Sequence, residues 1–283
     1  MSAPNITRVS PFSFIAFAFI AVTAIAQDRI VVSYNIRYDN PADGEDRWDL
    51  RKEALAETVL AERPSLIGLQ EALAHQLAYL DERWKGYARF GVGREDGATK
   101  GEFSPIYFDT TMFALIEGRT YWLSEEPDAP GKGWDAACER VATLAVLRDR
   151  RGGDSLWVIN THWDHQGAIA RRESAALVLR ILAPVLSARK DVLLIGDFNA
   201  EPGSEPMLLL SRSLLNACPE SQQRSATFNG FMPDAEAIKR IDHIWFAPAR
   251  WSSAAYRVIK PKVNGRQASD HYMLVATLRL TGR

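Results

Sequence analysis

The chain has 283 residues, of which 47% are hydrophobic and 24% charged, and these fractions exclude a disordered or fibrous protein. Lysine plus arginine number 34 and aspartate plus glutamate 35, so the formal net charge is −1. A protein that binds a long polyanion usually carries an excess of positive charge, and this balance therefore argues against extended contact with DNA or RNA. No Gly/Ser linker, low-complexity tract or repeat interrupts the chain, which indicates one large domain after the N-terminal segment.

The N-terminal segment has the pattern of a secretory signal peptide. Arg8 precedes an apolar run over residues 12–25, too short for a typical membrane-spanning helix, and a small-x-small "AIA" pattern ends at Ala26. We therefore predict a signal peptide over residues 1–26, cleavage after Ala26, and a secreted or periplasmic protein with no membrane span after cleavage. An uncleaved N-terminal anchor is the alternative.

The chain contains two cysteines, Cys138 and Cys218. Export to an oxidising compartment would permit a disulfide between them. The sequence does not show whether their Cα atoms lie within bridging distance, so two free thiols are the alternative.

Residues 27–283 mix many short strands with a few helices. Helical spacing of apolar residues predicts helices over residues 47–64, 72–83 and 167–189, with Pro184 inside the last. Short β-branched or apolar runs predict strands over residues 29–37, 65–71, 87–93, 104–109, 141–149, 155–162, 191–199, 240–246 and 269–280. Because strands outnumber helices, an α+β fold with two packed sheets and outer helices is favoured over a single doubly wound sheet.

Several predicted strands end or begin in polar residues that are costly to bury without partners. These residues are Asn35, Glu71, His162, Asp197 with Asn199, Asp242, and Asp270 with His271. One such ending is typical of a turn, whereas six along the chain indicate side chains that converge at one rim of a sheet sandwich. No Cys or Ser nucleophile stands in a recognisable setting. Asn, Glu, Asp and His together therefore point to hydrolysis assisted by a hard metal ion such as Mg²⁺.

The order of these motifs resembles the endonuclease/exonuclease/phosphatase superfamily, whose members share the fold of pancreatic deoxyribonuclease. The matching pieces, between Ile30 and about Leu280, are "SYNIR", "IGLQE", "GEFSPIYF", "NTHWDH", "GDFNAEPGSEP", "TFNGF", "RIDHIWF" and "SDHYMLV". Each piece alone is weak, but the combination in this order is specific. The resemblance implies a four-layer αββα sandwich over residues 27–283, with two mixed β-sheets packed face to face and helices outside.

The resemblance also implies roles for individual residues. The metal-binding residues are Glu71, Asn35 and Asp270, with Mg²⁺ or Mn²⁺ as the cofactor. The catalytic residues are Asp197 and Asn199, which position the attacking water and contact the phosphate, and His162 and His271, which face the phosphate. Their implied supports are Glu102, which would keep His162 protonated, and Asp242, which would hold His271. Arg140 is a looser match to a phosphate-binding arginine, and His165 is a further candidate for substrate contact that the resemblance does not itself assign.

Taken without the resemblance, some of these residues have plainer interpretations. Asn35 could cap a turn, and Glu71 could cap the helix that follows it. Asp242 could be an ordinary buried acceptor, and Arg140 a surface ion pair. His165 could contact the substrate or a second metal ion.

The resemblance leaves the substrate open, because the superfamily includes DNases, RNA exonucleases, inositol-phosphate phosphatases and sphingomyelinases. We expect an exported, metal-dependent phosphoesterase that hydrolyses a phosphodiester or phosphomonoester by in-line attack of an activated water. A nuclease, either a DNA endonuclease or a 3′–5′ RNA exonuclease, is the first alternative, although the charge balance favours small or single-stranded substrates.

A non-catalytic binding protein on the same fold is the second alternative. Such a protein should have lost at least one of Glu71, Asp197 and His271, and all three are present. Three tryptophans near the predicted rim could stack a base or sugar ring, or could pack loops together: Trp122, Trp134 and Trp163. Nothing in the sequence indicates the oligomeric state.

Overall fold

The computed structural model describes Met1 and residues 28–152, 154–223, 225–232 and 239–280. Apart from Met1, the predicted signal peptide and its cleavage site lie outside these described residues. The strands are β1 Asp28–Asn35, β2 Leu66–Gln70, β3 Tyr87–Phe90, β4 Ile106–Asp109, β5 Phe113–Trp122, β6 Val141–Asp149, β7 Ser155–His162, β8 Asp191–Asp197, β9 Leu215–Asn216, β10 Asp242–Phe246, β11 Trp251–Ile259, β12 Lys262–Val263, β13 Arg266–Gln267 and β14 Met273–Leu280. The α-helices are α1 Trp48–Ala61, α2 Ala74–Arg83, α3 Ala168–Ser187 and α4 Glu205–Leu210.

Two six-stranded sheets form the centre of the protein. The strand order is β11-β14-β1-β2-β4-β3 in the first sheet and β5-β6-β7-β8-β10-β9 in the second. Both sheets are mixed, because β1 pairs parallel with β2 and antiparallel with β14, and β8 pairs parallel with β7 and antiparallel with β10. Strands β12 and β13 form a separate two-stranded ribbon. The predicted α+β class and the two mixed sheets are confirmed.

The hydrophobic core is divided into three layers. Residues of both sheets form the central layer, including Val31, Ile106 and Leu193. Helices α1 and α2 pack on the outer face of the first sheet, and α3 and α4 pack on the outer face of the second. This arrangement is the predicted four-layer αββα sandwich. In the part of the chain that is described, no helix is long and apolar enough to span a membrane.

The four consecutive apolar residues of β8 reflect burial on both of its faces. Leu193 and Ile195 belong to the layer between the sheets, whereas Val192 and Leu194 belong to the layer under α3 and α4. A strand covered on both sides has no need of alternating polar residues. The polar side chains are therefore confined to the point where the strand leaves the core.

The two sheets approach each other closely just below the ends of β1 and β2. A Cβ atom on Gly68 would lie 2.5 Å from Ile195 Cδ1 and 2.8 Å from Asn160 Oδ1, so a larger residue does not fit at this position. Beside it, Gln70 Nε2 donates to Asn160 Oδ1 at 2.7 Å, and Asn160 Nδ2 donates to the Leu69 carbonyl at 2.7 Å. These buried hydrogen bonds fix the offset of one sheet relative to the other directly beneath the rim.

The sequence did not predict the long strands β5 and β11. Both lie at sheet edges, and both contain an irregular register, between Leu115 and Glu117 in β5 and between Ser253 and Ala255 in β11. A β-bulge shifts the alternation of inward and outward side chains by one residue, which removes the two-residue period used to recognise a strand. The remaining predicted elements are present, most of them shortened by one to three residues.

Candidate active site

The rims of the two sheets meet in one cleft with a volume of about 890 Å³. In the first sheet, Asn35 at the end of β1 is in register with Gln70, and Glu71 follows. In the second sheet, the ends of β7 and β8 and the start of β10 are aligned, so His162 and Asp242 both pair with Asp197. The predicted site residues that line the cleft are Glu71, Glu102, Arg140, His162, His165, Asp197, Asn199, Asp270 and His271. Asn35 and Asp242 are buried and support lining residues by hydrogen bonds.

Glu71 directs its carboxylate toward the first turn after β1. Oε1 accepts a hydrogen bond from Asn35 Nδ2 at 2.9 Å, and Oε2 accepts one from the backbone N–H of Tyr38 at 3.2 Å. Its φ angle is 61°, a left-handed conformation that costs a non-glycine residue about 1–3 kcal/mol. The helix-cap interpretation is wrong, because the side chain of Gln76 accepts the hydrogen bond from the backbone N–H of Leu73 where α2 begins.

Asn35 connects the two sheets. Its Nδ2 atom donates to Glu71 Oε1 at 2.9 Å and to Asp197 Oδ2 at 3.0 Å. Its Oδ1 accepts from the backbone N–H of Arg37 at 3.0 Å, so the turn-capping interpretation is also correct. One amide therefore caps the turn and spaces two carboxylates that would otherwise repel each other.

Asp197, His271 and Asp242 form a connected chain of polar side chains. Asp242 Oδ2 lies 2.9 Å from His271 Nδ1, and His271 Nε2 lies 3.6 Å from Asp197 Oδ2. The other oxygen of Asp197 accepts from the backbone N–H of Asn199 at 2.9 Å, which requires the left-handed φ of 46° at Asn199. The contact between Asp242 and His271 that the resemblance implies is present.

Burial and neighbouring charges shift the pKa values of Asp197 and His271. Burial and the neighbouring Asp242 raise the pKa of Asp197 to about 7. Burial by itself would lower the pKa of His271, but the carboxylates of Asp242 and Asp197 outweigh it and raise that pKa well above its usual value. His271 is therefore an imidazolium at neutral pH, with its Nε2–H facing Asp197.

The pKa of His162 is lowered, in contrast to that of His271. The expectation that Glu102 keeps His162 protonated is therefore wrong. Glu102 Oε2 lies 3.9 Å from His162 Nδ1, but it accepts its hydrogen bond from Arg94 Nη1 at 2.7 Å. His162 Nδ1 lies 3.1 Å from Arg140 Nη1. Burial and the guanidinium of Arg140 lower the pKa of His162 well below its usual value. Because a guanidinium only donates, Nδ1 accepts, and Nε2 lies 3.1 Å from Asn199 Nδ2 and 3.5 Å from Asp197 Oδ2.

Arg140 is buried, which excludes the surface ion pair considered above. Its other nitrogens face Asp164 Oδ2 at 3.5 Å and His165 Nδ1 at 2.9 Å. Cys138, Asp164 and His165 offer ligand atoms within 4.8 Å of one another. The guanidinium already supplies the positive charge at that position, so this group does not fit a second metal ion.

The acidic part of the cleft fits a divalent cation. Burial, with Glu71 as a further cause, raises the pKa of Glu102 to about 7 and that of Asp270 to about 6. Glu71, His162 and Asp197 offer ligand atoms within 4.8 Å of one another, and so do Asp197, Asp242 and His271. Asp270, one of the predicted ligands, is in neither group, whereas Asp197, which was predicted to be catalytic, is grouped with Glu71. Clustered carboxylate oxygens with raised pKa values are the donors that a hard cation such as Mg²⁺ neutralises.

The metal-free protein should therefore lose stability as the pH rises from about 5 to about 8, through the raised pKa values of its buried carboxyls. Asp197, Glu102 and Asp270 retain protons in the folded state at a pH where the unfolded chain has lost them, and the raised pKa of His271 acts in the same direction. His162, with its lowered folded pKa, opposes the decline up to about pH 7.5, because the unfolded imidazole still binds protons there, and contributes nothing at higher pH. Thermal melts in EDTA should show the decline, and saturating Mg²⁺ should reduce it. A flat or rising melting temperature in EDTA would contradict this electrostatic account.

Several details of the cleft were not predicted from the sequence. Arg94 pairs with Glu102, and Arg37 pairs with Asp43 and lies 3.7 Å from Asp270. Arg37 belongs to the quoted "SYNIR" motif and could have been recognised there, whereas nothing local indicates Arg94.

The three tryptophans near the predicted rim pack loops together and do not line the cleft. Trp163 is fully buried and packs edge-on against Phe198 at 4.7 Å, and Trp122 is buried with its Nε1 donating to the Arg94 carbonyl. Neither lines the cleft, and the partly buried Trp134 packs against the same layer as Trp163.

The two cysteines do not form a disulfide. Cys138 and Cys218 are both free thiols.

Comparison with known proteins identifies the class of this protein. The fold and the residues at the rim are those of phosphoester hydrolases. The chain matches the model of the endonuclease/exonuclease/phosphatase family over residues 32–271, and it belongs to this family. Family members hydrolyse phosphoester bonds and generally depend on a divalent metal ion, so this protein is a hydrolase of phosphoester bonds. A search of curated proteins gives no significant match.

Solved structures support the assignment. An endonuclease/exonuclease/phosphatase family protein from Bacteroides thetaiotaomicron is 31% identical, with a TM-score of 0.82, covering 91% of this chain and 99% of its own. A mannosyl-6-phosphatase from the same organism is 32% identical, with a TM-score of 0.80, covering 88% and 99%. The Danio rerio TDP2 protein, solved with a single-stranded DNA product, is 17% identical with a TM-score of 0.65, covering 89% and 98%, and shares the fold alone.

Proposed function

We propose that this protein is an exported, Mg²⁺- or Mn²⁺-dependent phosphatase that removes phosphate from a phosphorylated sugar. The observation that carries phosphoester hydrolysis is the chain from Asp242 through His271 to Asp197, with distances of 2.9 and 3.6 Å. It sets a carboxylate with a pKa of about 7 beside an imidazolium donor in one cleft. A base near neutrality and a fixed cation are what water attack on a phosphate ester requires.

Each side chain has a distinct part in this proposal. Asp197 Oδ2 orients the attacking water and receives its proton. His271 donates from Nε2 to a phosphoryl oxygen, and Asp242 holds its ring in place. His162, in contact with Arg140 and Asn199, faces the same group. Asn199 keeps the Asp197 carboxylate oriented through its backbone N–H.

Glu71, Asn35 and Asp270 are the residues proposed to hold the metal, with Asp197 close to Glu71. When bound, a divalent ion polarises phosphoryl oxygens and offsets the charge of the acids around it. Asn35 already spaces Glu71 from Asp197, so the carboxylate oxygens need little rearrangement to share a cation.

The pairing of cations in the cleft supports a small substrate. Arg37 is paired with Asp43, Arg94 with Glu102, and Arg140 is engaged with two imidazoles and Asp164. A nucleic acid backbone needs several free cations along its path. Of the described lining arginines and lysines, Arg171 and Lys239 make no ion pair with a described carboxylate. The 32% identity to a mannosyl-6-phosphatase supports a sugar phosphate in particular.

A substrate panel tests the proposal. Purified protein with Mg²⁺ or Mn²⁺ would be assayed on mannose 6-phosphate, p-nitrophenyl phosphate, bis-p-nitrophenyl phosphate, sphingomyelin, and single- and double-stranded nucleic acid. We expect the highest kcat/KM on the phosphomonoesters, with the sugar phosphate above p-nitrophenyl phosphate. Faster cleavage of nucleic acid than of any monoester would replace this function with the nuclease alternative.

The proposal of export rests on the N-terminal sequence. Mature protein recovered from the native host is expected to begin at Gln27 or within a residue or two of it, because the "AIA" pattern ends at Ala26. Mass spectrometry of the N-terminal peptide measures this directly. Intact Met1 on most of the protein outside the cytoplasm would refute cleavage.

A further inference from the structure

One wall of the cleft has no part in the chemistry described above. It is formed by the loop over residues 163–167, the first turn of α3 and residues 201–205 at the start of α4, and we call it the α3 wall. Its polar residues that line the cleft are His165, Arg171, Glu201, Ser204 and Glu205. It adjoins His162, which faces the reacting phosphate in the proposed function.

Asp164 gives the α3 wall a fixed shape. Its Oδ1 accepts from the backbone N–H groups of Gln166 and Gly167 at 2.9 and 2.7 Å, and its Oδ2 accepts from that of Ala137 at 3.1 Å. Burial would raise its pKa, but these bonds outweigh burial and lower the pKa to about 2. The Asp164 carbonyl accepts from Arg171 Nη1 at 2.9 Å, so the guanidinium at the cleft is anchored along one edge.

His165 lies between Arg140 and Gln166 at the edge of the cleft. Its Nδ1 accepts from Arg140 Nη2 at 2.9 Å, and its Nε2 lies 3.2 Å from Gln166 Nε2. The side chain is 49% exposed. The same guanidinium contacts His162, so His165 lies beside the proposed position of the phosphate.

The charge of the α3 wall does not favour a second phosphate. It carries two carboxylates, Glu201 and Glu205, against the single guanidinium of Arg171. The donor groups of Arg171 therefore lie on one wall with the acceptor groups of Glu201 and Glu205. A hydroxyl group both donates and accepts, and several hydroxyls on one ring match such a mixed wall.

We propose that the α3 wall is the subsite for a polyhydroxylated leaving group, the sugar ring attached to the phosphate, with Arg171 and Glu205 as specificity-determining residues. This inference rests on the proposed phosphatase function. It assigns the selection of the alcohol to a surface separate from the residues that act on phosphorus.

Two variants test the subsite: Arg171→Ala removes a donor, and Glu205→Gln keeps shape but removes a charged acceptor on an exposed residue. Each is assayed on mannose 6-phosphate and on p-nitrophenyl phosphate, which shares the phosphoryl group but has no hydroxyls. Because loss of one charged hydrogen bond is worth about tenfold, kcat/KM should fall about tenfold more on the sugar phosphate, mainly through KM. Arg172→Ala is the matched control, since Arg172 pairs with Glu173 and does not line the cleft.

The outcomes separate this inference from the proposed function. If both variants lower the two activities by the same factor while the parent hydrolyses the sugar phosphate, the subsite is wrong and the phosphatase function stands. If Arg171→Ala impairs hydrolysis of fructose 1,6-bisphosphate more than that of mannose 6-phosphate, the wall binds a second phosphate and the inference is overturned. If the parent cleaves nucleic acid and no sugar phosphate, the proposed function itself fails.

Discussion

Glu71→Gln is expected to fold, to lose about a thousandfold in turnover, and to lose most of the melting-temperature rise that Mg²⁺ or Mn²⁺ gives the parent. The glutamine keeps the shape, but its single amide oxygen can accept from only one of the two donors that hold the carboxylate, Asn35 Nδ2 and the backbone N–H of Tyr38. It removes one negative charge from the oxygen cluster and weakens a hard-cation ligand. A loss of several kcal/mol of charge stabilisation corresponds to roughly this decrease in rate.

Thermal melts with and without metal give a second readout that does not depend on turnover. A ligand that binds only the folded state stabilises it by about 2.7 kcal/mol at a hundredfold excess over its Kd. The metal-free variant should melt at or above the metal-free parent, because one repulsive charge has been removed. Glu62→Gln is the control, since Glu62 pairs with Arg257 outside the cleft. Near-parent activity and an undiminished metal shift in Glu71→Gln would move the site elsewhere.

Asp197→Asn is expected to lower kcat by about 10²- to 10⁴-fold, the usual contribution of a general base. The amide oxygen can still accept from the backbone N–H of Asn199, whereas the amide nitrogen then faces Asn35 Nδ2, so the variant keeps the shape of the side chain but loses the hydrogen bond from Asn35. The parent should lose activity as the pH falls and this carboxylate takes up a proton, at a pH below the metal-free pKa of about 7 because the bound cation favours the carboxylate. The residual activity of the variant should not fall at low pH through protonation of this side chain, because the amide does not titrate.

Metal-free Asp197→Asn should also melt at a higher temperature than the parent at pH 8, where the parent carries a buried charge that the amide lacks. Asp191→Asn is the matched control: Asp191 is buried at the other end of β8, pairs with Arg250 and does not line the cleft. Equal activities of Asp197→Asn and the parent would exclude Asp197 as the base, whatever the melts show.

The central strands and the rim could be predicted from the sequence because their evidence is local. The apolar run of β8 ends directly in Asp197, and the run of β2 ends directly before Glu71. Parallel neighbours bring such endings to one edge, which is why Asn35 and His162 were also placed correctly. The edge strands β5 and β11 were missed because their bulges break the two-residue period.

Protonation states could not be predicted, because they depend on groups that are distant in the sequence and on burial. Glu102 was expected to keep His162 charged, yet Arg140 occupies the position next to Nδ1 and Arg94 takes the carboxylate. The pKa of an imidazole follows the balance of desolvation and nearby charge, and neither quantity can be read from the order of residues. For the same reason, the sequence did not show that the guanidinium of Arg140 contacts both His162 and His165.

The sequence by itself determined the family, the layered α+β architecture and the set of polar residues at the rim, since hydrophobic runs and motif order are properties of neighbouring residues. Only the tertiary structure decided how those residues act on one another. Asn35 and Asp197 are 162 positions apart, and their hydrogen bond exists because the two sheets pack at one particular offset. The positive charge on His271, the neutral state of His162 and the mixed polar wall beside Arg171 all follow from that packing, because burial and distance set the energy of a charge.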